Sequence, residues 1–96
     1  MTFDFEQKMH IGLLRLHGEL TGHNIREMRK ALLIALSNTD HVIVDFAGVL
    51  KIDRSFADHF KHTRAVSRRL GKKMTPVNIS QGLGSYSLTI SNGGME

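Results

Sequence analysis

The 96-residue sequence has no cysteine and only one proline and one tyrosine. Without cysteine, the chain can form no disulfide, no thiolate zinc site and no thiol nucleophile. Its apolar runs are far shorter than the roughly 18 residues of a membrane-spanning helix, so no direct membrane insertion is expected. The first six residues are acidic and do not show the basic-then-apolar order of a signal peptide. These absences together predict a cytoplasmic protein.

The formal net charge is +4, and the basic residues are concentrated in one part of the chain. Seven cations and a single acid, Asp58, lie between residues 54 and 73. Such a segment could bind nucleic acid. However, the cations at residues 68–73 fall at the end of a predicted helix, where positive charge suits the helix dipole. No nucleic-acid partner is therefore expected.

The first twenty residues have the alternation of two short strands. Residues 2–7 place Phe3 and Phe5 on one side, which predicts a strand with one buried face. Residues 8–10 form a predicted turn, and residues 11–17 a second strand with two apolar faces. So short a connection favours an antiparallel hairpin.

A loop at residues 18–22 precedes the first predicted helix, which Thr21 or Asn24 could cap. From Ile25 onward the apolar residues recur at helical spacing and predict an amphipathic helix of about four turns. The predicted buried stripe consists of Ile25, Met28, Ala31, Leu32, Leu33, Ala35 and Leu36.

Residues 41–58 form the central stretch of the sequence. A nearly continuous apolar run, residues 42–46, predicts a strand covered on both faces, as in a parallel sheet. Residues 47–53 are predicted to be a loop. Ser55 with Asp58 three residues later resembles a capping box, so Ser55 is predicted to cap the second helix.

The second helix ends near Gly71, at a position where glycine is common. Residues 72–79 predict a fourth strand, and Pro76 indicates an edge position. Residues 81–96 form a Gly- and Ser-rich extension whose alternation at 86–90 is compatible with a short strand. The apolar stripe of the second helix comprises Phe56, Phe60, Thr63, Val66 and Leu70.

The predicted element order is therefore β-β-α-β-α-β. It indicates an α/β domain over residues 1–80, with a four-stranded mixed sheet and helices packed on it. Residues 81–96 are predicted to follow it as an extension.

Three segments of the sequence resemble the STAS domain family, named for sulphate transporters and anti-sigma-factor antagonists. Residues 11–20 resemble its second strand with a Gly-Glu-Leu ending, and residues 42–53 resemble its central strand and following loop. The helix that ends at Leu70-Gly-Lys-Lys73 before a strand also fits. The resemblance covers about residues 3–79.

The resemblance implies a regulatory binding module and no enzyme. Family members in bacterial sigma-factor switches bind an anti-sigma factor that is also a serine kinase, and phosphorylation at the start of the second helix abolishes binding. The family's Asp-Ser-Ser-Gly corresponds here to Asp53-Arg54-Ser55-Phe56, so Ser55 is the phosphorylation candidate. Arg54 and Phe56 depart from that pattern, as does Thr21, where the family often has Asp.

The resemblance places the predicted partner-binding surface at the start of the second helix and in the loop before the first. Its residues are Thr21, Gly22, Asp53, Arg54, Ser55, Phe56 and Asp58. An alternative function is that of a STAS subunit in a lipid-transporting ABC complex, where phosphorylation is dispensable. A homodimer is a further option that the sequence leaves open.

Other motifs give weaker indications of chemistry. Asp58, His59 and His62 lie within about one helical turn, but with no third distant ligand they are interpreted as surface residues. The Gly-rich segment 82–84 lacks the helix that a phosphate loop requires. Since no catalytic triad or acid/base carboxylate pair is recognisable, the sequence predicts no enzymatic activity, no metal and no cofactor.

Overall fold

The protein, represented by a computed structural model that describes residues 1–79, has a mixed sheet with two α-helices. Within those residues the sheet has four strands in the order β1-β2-β3-β4. Strand β1 runs antiparallel to β2, whereas β3 is parallel to both β2 and β4. The predicted α/β fold is confirmed. Its elements are β1 (Thr2–Lys8), β2 (Ile11–Leu20), a 3-10 helix (Gly22–Asn24), α1 (Ile25–Asn38), β3 (His41–Ile52), α2 (Arg54–Arg69) and β4 (Lys73–Val77).

Within residues 1–79, helices cover only one face of the sheet. Leu14, Val44 and Pro76 are register partners across three strands, and all three are buried. Their neighbours on the other face, including Ile43 and Asp45, are half-buried. Both helices contribute to the single cluster of buried side chains. The predicted burial of β3 on both faces is therefore wrong, because successive side chains of a strand alternate between the two faces and the helices cover one.

The open face carries an ion-pair network near β1. Arg15 lies 2.9 Å from Asp4 Oδ1 and 2.7 Å from Glu6 Oε1. His17 Nε2 is 3.0 Å from the other Asp4 oxygen. These contacts lower the pKa of Asp4, chiefly through the hydrogen bond with His17 and then through that with Arg15.

The hairpin of β1 and β2 has a tight turn at Met9, whose φ is 56°. A Cβ atom on Gly12 would lie 2.6 Å from Cε1 of Phe5, which shows that the Phe5 ring packs directly over this glycine. Phe3 remains 42% exposed. On the predicted buried face of β1, Phe5 packs against the core and Phe3 does not. Strand β1 lies at the edge of the described sheet, where the hydrophobic core ends.

Helix α1 packs against the sheet through a narrower stripe than predicted. Met28, Ala31, Leu32 and Ala35 are buried. Leu33 is 69% exposed, so its assignment to the buried stripe is wrong. Leu33 follows Leu32 by one residue, or about 100° around the helix, and therefore points away from the face that the sheet covers.

Helix α2 ends as predicted at a left-handed glycine, Gly71, with φ of 78°. The amide of Lys72 donates to Ser67 O at 2.9 Å, and that of Gly71 donates to Arg68 O at 3.0 Å. This pair of bonds is a Schellman motif. Leu70 is 71% exposed, so its assignment to the apolar stripe of the second helix is wrong. It is the C-cap residue, where the helix ends, and it does not pack against the sheet.

Strand β3 is longer than predicted. It continues to Ile52 and pairs with β2 up to the contact between Leu20 and Ile52. The predicted loops at residues 18–22 and 47–53 are therefore mostly strand. Two register shifts, after Arg15 and after Gly18, accompany this extension. Gly48 lies where a side chain would collide with the His17 imidazole.

Strand β4 lies at the edge of the described sheet, as Pro76 predicted. The carbonyl of Met74 accepts a hydrogen bond of 2.9 Å from Arg64 Nε on α2. Proline and an arginine contact both reduce the capacity of an edge strand to recruit another strand. No helix within residues 1–79 is long and apolar enough to cross a membrane. The predicted extension 81–96, with its strand at 86–90, lies outside the described residues.

Candidate functional site

The candidate site lies where the parallel strands β2 and β3 end. The amide of Asp53 donates to Leu20 O at 3.0 Å, which brings the start of α2 beside the segment that leads into α1. In parallel-sheet folds, this end of the strands is where binding residues commonly occur. The two predicted segments, Thr21–Gly22 and the first turn of α2, are thus brought together.

Asp53 links these two segments with one carboxylate. Its Oδ1 accepts a hydrogen bond of 2.8 Å from the Phe56 amide, and its Oδ2 accepts one of 3.0 Å from the Gly22 amide. The Phe56 bond makes Asp53 the N-cap of α2. Hydrogen bonds to the charged form, first that from Phe56 and then that from Gly22, lower the pKa of Asp53 despite its partial desolvation.

The prediction that Ser55 caps α2 is therefore wrong. Helix α2 begins at Arg54, so Ser55 is already within its first turn. Asp53 takes the capping position because it has the extended backbone that a cap requires, with φ of −92° and ψ of 169°. Ser55 is left with an exposed side chain, and within residues 1–79 its hydroxyl makes no hydrogen bond.

Gly22 and Ser55 are in close proximity. A Cβ atom on Gly22 would lie 3.1 Å from the Ser55 Oγ and 3.3 Å from its Cβ. A larger residue at position 22 would therefore have to displace the Ser55 side chain. On its other side, the backbone carbonyl of Ser55 lies 2.9 Å from His59 Nδ1.

Thr21 has a structural role beside this surface. Its hydroxyl accepts a hydrogen bond from the His23 amide, and its own amide donates to Asn24 Oδ1 at 3.0 Å. These bonds form a capping box for the 3-10 helix. Of the two caps that the sequence suggested, Thr21 caps the 3-10 helix, while Asn24 precedes α1 without a side-chain capping bond.

The remaining predicted site residues differ in their exposure. The side chains of Arg54 and Asp58 are 80% and 60% exposed, and their 3.9 Å separation makes a weak surface ion pair. Phe56 is fully buried. Its side chain belongs to the core, so the prediction that it lies on the partner-binding surface is corrected.

One exposed apolar residue close in sequence to the site, Leu50, is not among the predicted site residues. Leu50 is 75% exposed near the end of β3, whereas Val49 and Ile52 are buried. Because residues 47–53 were predicted to be a loop, no face could be assigned to Leu50. The sequence carries little signal for Leu50, because its neighbours Val49 and Lys51 give no regular alternation of apolar and polar residues.

Comparisons with known proteins agree with this fold. A model of the STAS domain matches residues 2–84. The unphosphorylated form of SpoIIAA, described as an anti-sigma factor antagonist, superposes with a TM-score of 0.67 at 20% identity, covering 82% of this chain and 74% of that one. The phosphorylated form of SpoIIAA, described as a Bacillus cell fate determinant, gives 0.67 at 19% identity, with 83% and 75% covered.

A structure of Mglu has a TM-score of 0.73 at 15% identity. The alignment covers 81% of this chain but only 20% of the Mglu chain, so the shared fold is one part of a longer protein. No match was found among curated protein sequences.

Proposed function

The chain belongs to the STAS domain family, and we propose that it is a regulatory protein-binding module of the anti-sigma-factor-antagonist type. Its partner would be a kinase-type anti-sigma factor in the bacterial cytoplasm. The contact surface would comprise the Thr21–Gly22 segment and the exposed residues of the first turn of α2. Membership of the family and the fold shared with SpoIIAA both support this assignment.

The observation that carries the proposal is the double hydrogen bond of Asp53. By binding the amides of both Gly22 and Phe56, the carboxylate holds two separate segments in one fixed arrangement. A partner can bind such a surface without first ordering it, which reduces the entropic cost of association. The exposed side chains in this short stretch of chain are charged, polar and apolar, and a protein partner could contact all three kinds. They are Leu50, Arg54, Ser55 and Asp58.

Ser55 is the proposed site of regulation. Its hydroxyl is exposed, and a phosphate there would add about −1.5 to −2 charges. The N-terminal turn of α2 would tolerate this charge within the domain. Asp53 and Asp58 would repel it, and the close approach of Gly22 would place it on the surface shared by both segments. Because the phosphate would put this charge and bulk where a partner contacts Ser55, it would oppose partner binding, and the favourable helix N-terminus would leave the fold intact.

Affinity purification of the protein from its native cell, followed by mass spectrometry, tests the proposal. We expect a serine-kinase anti-sigma factor among the captured proteins, and phosphate on Ser55 after incubation with that kinase. A Ser55→Ala variant provides the matched control. Phosphate at another residue, or none at all with the captured kinase, would contradict the regulatory role of Ser55.

A second candidate function is that of a STAS subunit in a lipid-transporting ABC complex. Arg54 favours it, because its long and 80% exposed side chain stands beside Ser55, where the family's motif has a small hydroxyl residue. Such a side chain would hinder phosphate transfer to Ser55, which the first function requires and constitutive subunit binding does not. Capture of a permease and an ATPase, with no kinase, would support this function over the first.

A further inference from the structure

The end of the domain opposite Ser55 combines exposed apolar side chains with exposed cations. Strands β2, β3 and β4 all begin there, since Ile11, His41 and Lys73 are register partners. The amide of Asp40 donates to His10 O at 3.0 Å, which places the end of α1 beside the β1–β2 turn. We call residues 8–11, 33–40 and 68–73 the strand-start end.

Most of the exposed large apolar side chains lie at the strand-start end. The described residues contain seven such side chains, and five of them occur here. A concentration of exposed apolar groups at one end of a small domain indicates a contact surface, whereas single scattered ones do not. The five, with their exposed fractions, are Met9 (86%), Ile11 (47%), Leu33 (69%), Ile34 (49%) and Leu70 (71%).

The charged side chains of the strand-start end are almost all positive. Lys8, Arg68, Arg69 and Lys73 are exposed. Within residues 1–79, none of these four has a carboxylate at ion-pair distance. Asp40 is the one acid in these segments, and it lies 3.9 Å from His10 Nδ1.

A fifth cation at this end has a structural role instead. The Lys72 ammonium donates to the carbonyl oxygens of Leu36 and Thr39 at the C-terminal end of α1. There it satisfies backbone acceptors and the negative pole of the helix. This contact accounts for Lys72 but for none of the four exposed cations.

We propose that the strand-start end is a docking surface for an anionic phospholipid bilayer. Exposed leucine, isoleucine and methionine side chains would enter the headgroup region, and the surrounding cations would attract negatively charged lipids. Nucleic acid fits less well, because residues 8–11, 33–40 and 68–73 include no Phe, Tyr or Trp on which bases could stack. In this orientation the Ser55 surface faces away from the bilayer and stays open to a protein partner.

Sedimentation with lipid vesicles tests this proposal. Vesicles of phosphatidylcholine mixed with phosphatidylglycerol should bind the protein, and binding should weaken as salt is added. Vesicles of phosphatidylcholine alone should bind it little. Each cation near an anionic surface strengthens partitioning about fivefold, so an Arg68→Gln/Arg69→Gln variant should partition about twenty-five-fold more weakly.

An Arg26→Gln/Lys61→Gln variant provides the matched control. It removes the same charge from exposed positions outside the strand-start end and should change partitioning little. If the Arg68/Arg69 variant does not fold, Leu33→Gln gives a second test and should weaken partitioning by about tenfold. Equal binding to both vesicle types, or equal losses for the two double variants, would overturn the proposal. Tight binding of an RNA oligonucleotide without vesicle binding would also overturn it.

Discussion

Replacement of Asp53 by alanine should destabilise the domain more than any other change at the exposed candidate surface. The variant loses the helix cap on Phe56, which contributes about 1 kcal/mol. It also loses the hydrogen bond to the Gly22 amide, worth about another 1 kcal/mol. We therefore expect the free energy of unfolding to fall by about 2 kcal/mol. For a domain of this size, that loss lowers Tm by roughly 10 °C.

Urea denaturation of wild type, Asp53→Ala and Asp58→Ala measures this effect. Asp58 is a matched control, because it is an exposed aspartate on the same helix with only a weak ion pair to Arg54. Its replacement should change the free energy of unfolding by less than about 0.5 kcal/mol. Equal destabilisation by the two substitutions would refute the conclusion that Asp53 joins two segments.

The same comparison should depend on pH in a defined direction. Because the pKa of Asp53 is lowered in the folded state, its carboxylate stabilises the fold fully above its ordinary unfolded pKa. That contribution is lost as the pH falls through the lower, folded pKa. The difference in unfolding free energy between wild type and Asp53→Ala should thus be constant near neutral pH and should narrow below about pH 4. A difference that widens in acid would contradict this sign.

Three further substitutions have expected outcomes. Ser55→Ala should change the free energy of unfolding by less than about 0.5 kcal/mol in urea titrations, because Ser55 does not cap the helix. A loss of about 1 kcal/mol would instead indicate that Ser55 is a helix cap. Gly22→Ala should reduce phosphorylation of Ser55 by the cognate kinase, since the new methyl group would meet the Ser55 side chain; an unchanged rate would show that this contact is unimportant. Lys72→Met should lower the free energy of unfolding by about 1 to 2 kcal/mol in thermal melts, because the carbonyls of Leu36 and Thr39 lose their donor; an unchanged Tm would contradict that role.

The element order was predictable because its signals are local. Alternation in β1 and β2, helical spacing in α1 and α2, and a glycine after α2 each need only neighbouring residues. The length of β3 was not predictable in this way. The last residues of β3 pair with β2 across register shifts. The burial of Val49 and Ile52 therefore follows neither a period of two nor a helical period.

The proximity of the two segments of the candidate surface was predictable, but the roles of individual residues were not. Asp53 and Ser55 are both good capping residues, and the sequence does not show which has the extended backbone. The choice of Asp53 also depends on the Gly22 amide, 31 positions away, which engages its second oxygen. Phe56 has the spacing of a core residue, and its burial follows that pattern and not the family motif on which it lies.

The affinity of the purified cognate anti-sigma factor for two arginine variants tests the proposed partner surface most directly. Arg54 and Arg69 are exposed arginines at opposite ends of α2, so their replacement by alanine removes the same group from two distant places. Titration calorimetry should show at least about a fivefold loss of affinity for Arg54→Ala, as expected for an arginine central to an interface. Arg69→Ala should bind like the wild type. Unchanged binding by Arg54→Ala, or a loss confined to Arg69→Ala, would contradict the assignment of the partner surface to the start of α2.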